Sequence, residues 1–175
     1  MGRIYLIGYM GTGKTTLGKE LAKSFDVQFI DLDHYIQEVE QKTISEIFEE
    51  VGEAGFREIE NQTLKKISTL DNAIIAAGGG TPCFFDNMDY MNETGTTIYL
   101  RATPEALCKR LNVCKDKRPL IRDKNEEELH SFVKENLSKR EPYYLKADII
   151  FETDNLISRD EVDKHVGDII DLLTK

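Results

Sequence analysis

Arg3-Ile4-Tyr5-Leu6-Ile7-Gly8-Tyr9-Met10-Gly11-Thr12-Gly13-Lys14-Thr15 decides how the rest of the chain is read. Its first five residues form a mostly apolar, β-branched and aromatic run, which predicts a buried strand stopping at Gly8. From Lys14 onward, Leu17, Leu21 and Phe25 recur at helical spacing. Strand, glycine-rich turn and helix fit the pattern G-x-x-x-x-G-K-[ST]. Glycines let the backbone curl so that successive N–H groups face inward, and the first helical turn adds its unpaired N–H groups and positive dipole end. Gly11, Thr12, Gly13, Lys14, Thr15 and Thr16 are therefore candidate ligands of a nucleoside triphosphate. Lys14 is expected to reach the β- and γ-phosphates, and the Thr15 hydroxyl to ligate the Mg²⁺ that accompanies them.

Working outward, Val27–Ile30 predicts a second strand running into Asp31-Leu32-Asp33, and Asn72–Ala77 a third that stops at Gly78-Gly79-Gly80. Thr96–Leu100 and Ala147–Phe151 complete a set of five. Helical patterns lie between them. One breaks near Lys42 and restarts at Thr43-x-x-Glu46, a capping box; Gly52 punctuates it before Phe56, Ile59, Leu64 and Ile67. A short helix is expected around Phe84 to Met91, another from Thr103-Pro104, one from Asn125 to about Lys139, and a last one from Ser158-x-x-Glu161. Val113 to Lys124 has no apolar period and predicts a mobile surface loop. Strands alternating with helices imply one α/β domain over 1–175, a five-stranded parallel sheet with helices on both faces and right-handed crossovers. Ligands of such sheets bind at the carboxyl ends of the strands, which gathers the phosphate loop, the aspartates and the three glycines.

Those neighbours suggest chemistry. Two residues apart on a strand, Asp31 and Asp33 share a face, so Asp31 is assigned to the Mg²⁺ shell and Asp33 to an acceptor hydroxyl whose proton it takes. The plainer reading is that one aspartate caps the next helix. Arg57 and Glu60, three apart, are either a surface ion pair or part of a site. Three successive glycines imply close approach of a ligand to the main chain, a tight turn being the alternative. Arg118, in Arg118-Pro119-Leu120, is either solvated or a lid cation over a transferring phosphoryl group. Arg140 is either a helix-terminal cation or a second anion-gripping arginine.

The formal net charge of −9 argues against a nucleic-acid partner, whose phosphates need a basic face. Three cysteines, Cys83, Cys108 and Cys114, lack metal spacing and suit a reducing compartment. The initial apolar run is too short for a membrane span, so a cytoplasmic protein without membrane partners is expected.

Together these motifs resemble the shikimate kinase family along the full chain. The phosphate loop, Asp31-Leu32-Asp33, Ile47-Phe48 through Gly52-Glu53, Phe56-Arg57-x-x-Glu60, Gly78-Gly79-Gly80, Arg118-Pro119-Leu120 and Arg140-x-x-Tyr143 all match in order. The resemblance implies a P-loop, nucleoside-monophosphate-kinase-like fold with an acceptor-binding segment over about 33–61 and a lid over about 112–124. It implies an ATP- and Mg²⁺-dependent kinase, expected as a monomer, that phosphorylates the 3-hydroxyl of shikimate. Asp33 would contact substrate hydroxyls, while Arg57, Arg140 and the Gly79-Gly80 backbone hold the carboxylate, as paired guanidinium groups suit a planar anion. Lys14, Asp33 and Arg118 would be catalytic, and Arg110 and Thr153 would flank the adenine. The loop Glu152–Leu156 lacks the proline expected near the adenine. Rival readings are a kinase of a sugar acid or nucleoside monophosphate, and a nucleotide-dependent switch with no transferase activity.

Overall fold

The computed structural model describes residues 2–113 and 120–174. Five strands, β1 (Ile4–Ile7), β2 (Gln28–Asp31), β3 (Ala73–Ala76), β4 (Thr96–Arg101) and β5 (Ile149–Glu152), form one parallel sheet in the order β2-β3-β1-β4-β5. The expected fold class holds. Alternation along each strand divides the core in two. Ile4, Leu6, Ile74, Ile98 and Leu100 face α1 (Lys14–Phe25) and α7 (Arg159–Leu173), while Tyr5, Ile7, Ile75 and Tyr99 face the other helices. Burial on both faces explains why the central strands read as continuous apolar runs.

The other face is covered by α2 (Leu32–Glu40), α3 (Ile44–Ile67), α4 (Asn87–Thr94), α5 (Pro104–Val113) and α6 (Glu126–Tyr144). Capping boxes at Thr43, Asn125 and Ser158 start α3, α6 and α7 as the sequence predicts. Gly52, with φ 70 and ψ −178, splits α3 into two helical segments at the expected point.

Three expectations change. Asp33 does not lie on the second strand: β2 ends at Asp31, whose carboxylate caps α2, so Asp33 stands in the first helical turn. Helix α6 does not end near Lys139 but runs through Pro142 to Tyr144. Tyr144 is fully buried against Tyr99, at 5.1 Å between ring centroids, and this packing outweighs the backbone hydrogen bond that proline forfeits. The segment Val113 to Lys124 is not wholly a surface loop, since Ile121 is fully buried in the larger core cluster. Arg118 and Cys114, with the rest of 114–119 in the expected lid, fall outside the described residues.

Candidate active site

A cavity of about 690 Å³ opens at the carboxyl ends of the strands. One wall is the stretch that opened the sequence analysis. Gly13 takes φ 95, a left-handed conformation that side-chain-bearing residues rarely adopt, and starts α1 with no side-chain cap. The first-turn N–H groups of α1 thus meet the cavity without a capping side chain. Lys14 Nζ donates to the carbonyls of Gly8 at 2.8 Å and Tyr9 at 2.9 Å. Gly11, Gly13, Lys14, Thr15 and Thr16 line the cavity. Thr12 is placed differently: it is buried, and both its N–H and its hydroxyl donate to Tyr9 O, so its side chain shapes the turn.

Thr15 Oγ1 donates to Asp31 Oδ2 at 2.9 Å, and Asp31 Oδ1 accepts from the His34 N–H at 3.3 Å. The carboxylate thus caps α2, the plainer of the two readings, and also accepts from the Thr15 hydroxyl. Two hard oxygen donors side by side fit Mg²⁺, which needs few protein ligands when phosphates and water complete its octahedron. Among the described residues no group of three or more His, Cys, Asp or Glu side chains is arranged to hold a metal by itself.

The glycine run is the floor on which distant side chains converge. A Cβ on Gly78 would lie 2.7 Å from Asp33 Oδ1 and 3.0 Å from Glu60 Oε1; one on Gly79, 3.2 Å from Arg140 Nη1; one on Gly80, 2.6 Å from Arg57 Nη2. None of the three has a left-handed φ, so glycine is needed here for close approach rather than for conformation. Arg57 donates to Glu60 Oε2 at 2.8 Å, with side chains only 11% and 1% exposed. The surface-pair alternative is thereby excluded. Glu60 Oε1 accepts from the Thr81 hydroxyl, and the Arg57 guanidinium lies 4.1 Å from the centroid of the Phe84 ring. Arg57 Nε, although buried, has no hydrogen-bond partner among the described residues.

Arg140, four residues before the end of α6, is not a helix-terminal cation. Its guanidinium sits 5.5 Å from the centroid of the Tyr9 ring, and no carboxylate among the described residues lies within 4 Å of it. Asp33 faces this cationic end from the Gly78 side. Burial, then the neighbouring Glu60 and Asp31 carboxylates, push its carboxyl up to about 6, while Lys14 and Arg57 pull the other way.

At the far end of the cavity, Arg110 donates to Gly11 O at 3.1 Å and to the carbonyls of Thr153 and Asp154. It thereby ties the phosphate loop to the segment after β5. Thr153 is fully buried, with its N–H and hydroxyl both given to Arg101 O, so it does not present its side chain to the cavity. Leu156 to Arg159 line that wall instead. Leu156 belongs to the expected adenine loop, whereas Ile157, Ser158 and Arg159 were not singled out from the sequence as lining residues.

A family model described as shikimate kinase matches residues 10–171. The chain belongs to the shikimate kinase family. The shikimate kinase of Parabacteroides distasonis is 49% identical over 162 residues, covering 93% of this chain and 94% of that one. The crystal structure of the shikimate kinase from Bacteroides thetaiotaomicron matches with a TM-score of 0.96 at 46% identity, covering 99% and 98% of the two chains. The shikimate kinase from Acinetobacter baumannii, solved in complex with shikimate, matches with a TM-score of 0.85 at 31% identity, covering 99% and 93%. Of the two tyrosines that follow Arg140 in this shikimate kinase family member, Tyr143 is 39% exposed and Tyr144 is buried.

Proposed function

We infer that the protein is a kinase that transfers the γ-phosphoryl group of ATP to the 3-hydroxyl of shikimate, giving shikimate 3-phosphate and ADP in aromatic amino-acid biosynthesis. The observation that carries this reading is the placing of Asp33, Arg140 and Arg57 over three successive glycines beside a phosphate loop. A planar carboxylate is matched by two guanidinium groups better than by point charges. Arg57 and Arg140 are assigned to that carboxylate and the Gly79-Gly80 backbone to the ring below it.

Catalysis in such a transfer is positioning and electrostatics. Lys14 and the N–H groups of the loop and α1 hold the phosphate oxygens as charge spreads over them. Asp33, poised near neutrality, aligns the acceptor hydroxyl and takes its proton. Thr15 and Asp31 are assigned to Mg²⁺, which when bound neutralises phosphate charge. Arg110 and the wall from Leu156 to Arg159 enclose the base. Arg118 is assigned to a lid that excludes water. We assign the reaction to the cytoplasm and to the monomer; among the described residues no helix is long and apolar enough to cross a membrane.

An ADP-release assay across a panel of hydroxy acids tests the reading. Release that depends on shikimate and saturates is the expected result. Equal release with every acid, or with none, overturns it.

A further inference from the structure

The carbonyls of the glycine run are all engaged. Gly78 O accepts from the Thr81 N–H at 3.1 Å, Gly80 O from the Cys83 N–H at 2.9 Å, and Gly79 O from the Tyr144 hydroxyl. By contrast, no hydrogen bond donated by the N–H of Gly78, Gly79 or Gly80 is found among the described residues. Two of the three carbonyls are held by local turns of the same segment. The third is held by a side chain 65 positions away on α6.

That side chain is unusually constrained for a core aromatic. Tyr144 is fully buried, tilted against Tyr99, and one helical turn from Arg140, so both project from the same face of α6. Burial raises its phenol far above the ordinary range, with Arg140 opposing by charge and by hydrogen bond, so the hydroxyl remains a donor throughout the working pH range. The same hydroxyl donates to the Gly79 carbonyl, and a Cβ on Gly79 would lie 3.2 Å from Arg140 Nη1. In a trans peptide the carbonyl and the following N–H point in opposite directions, so fixing Gly79 O fixes where the Gly80 N–H aims.

We propose that Tyr144 is a positioning residue of the acceptor site: its hydroxyl sets the tilt of the Gly79–Gly80 peptide, and so acts on acceptor binding. This rests on the assignment of Arg140 and the glycine floor to the acceptor carboxylate and ring. A filler of the core would need only the ring. A positioning residue needs the hydroxyl.

Tyr144→Phe keeps the ring and removes the donor. The shikimate KM should rise about tenfold, the worth of one well-made hydrogen bond, with kcat and the ATP KM held within about twofold. Tyr143→Phe, on the exposed neighbour, should leave all three constants alone. In the wild-type protein the Gly80 amide resonance should shift on saturation with shikimate, a readout that does not depend on the variant folding. A lowered melting temperature with an unmoved shikimate KM, or a Gly80 amide that ignores shikimate, overturns the proposal. Arg140→Ala separates the two levels. If it raises the shikimate KM while Tyr144→Phe does not, only the role of Tyr144 fails; if neither does, the acceptor-site assignment fails with it.

Discussion

The phosphate loop and the segment after β3 each carry three glycines, and the backbone demands on the two differ. In the phosphate loop, Gly8, Gly11 and Gly13 have φ of 140, 86 and 95, a backbone path that strongly favours glycine. In the acceptor floor, Gly78, Gly79 and Gly80 have ordinary backbone and are glycine because Asp33, Arg140 and Arg57 stand where a Cβ would be. The backbone path of the first half of the cavity belongs to one stretch of chain, although a Cβ on Gly8 would also meet Leu100 O at 2.6 Å and one on Gly13 would meet Leu156 Cδ2. The second exists only after α2, α3, β3 and α6 have been brought together. Substitutions should therefore fail in different ways at the two ends.

The largest effect is expected at the acceptor end. Arg57→Ala leaves Glu60 buried without its cation and removes one arm from the carboxylate, which should weaken shikimate binding by about 2–5 kcal/mol. Calorimetric titration of the folded variant checks this, and unchanged affinity breaks the assignment. At the other end, Lys14→Ala should lower kcat by about 10²–10³-fold while shikimate affinity stays within about threefold. Rapid-quench measurement of a single turnover would show whether chemistry is the step affected.

Asp33 lies where the halves meet, and its expected signature is a conflict between stability and activity. Its folded carboxyl, about 6 against an ordinary 3.8, holds its proton more tightly than in the unfolded chain. The contribution to stability is therefore present below about pH 4 and lost as pH rises through about 6, where the buried group must ionise. Asp33→Asn removes that burden and should stabilise the fold at pH 8 by at most about 3 kcal/mol, from a difference of about 2.2 pK units. Denaturant melts at pH 8 and pH 4 measure it, the gain vanishing at the lower pH. The wild-type kcat/KM should fall as pH drops through about 6, since only ionised Asp33 takes the hydroxyl proton.

The smallest and sharpest contrast is between two identical substitutions. Gly80→Ala needs no unusual φ but displaces the Arg57 guanidinium, so it should raise the shikimate KM by about tenfold or more with little loss of stability. Gly13→Ala forces a side-chain-bearing residue to φ 95, so it should cost about 1–2 kcal/mol of stability and weaken nucleotide binding. Reversal of the two outcomes would contradict the distinction drawn between the glycine runs.

The same contrast explains what was legible in the sequence. The phosphate loop is contiguous, so spacing and glycine placement are sufficient to read it from the sequence. The helix starts at Thr43, Asn125 and Ser158 were equally local, each cap and its glutamate lying three residues apart. The acceptor end depends on segments far apart in sequence, and local reasoning left Arg57 and Arg140 balanced between structural and functional readings. Burial of the Arg57–Glu60 pair removes the surface-pair reading, and the continuation of α6 to Tyr144 removes the helix-terminal reading of Arg140. The misses share one cause, tertiary packing overriding a local signal: Tyr144 carries α6 past Pro142, Ile121 is buried in a stretch without an apolar period, and the cap made by Asp31 turns Asp33 from strand into helix.

Shikimate and its methyl ester differ by the one charge that the two arginines are built to hold. Titrating each, by calorimetry in the presence of ADP, into the wild-type protein and into Arg140→Ala measures that charge directly. The wild type should bind the acid at least about 30-fold more tightly than the ester, as for a charge pair worth about 2 kcal/mol. In Arg140→Ala most of the preference should disappear. An ester bound as tightly as the acid by the wild type would contradict the claim that Arg57 and Arg140 form a carboxylate clamp over the glycine floor.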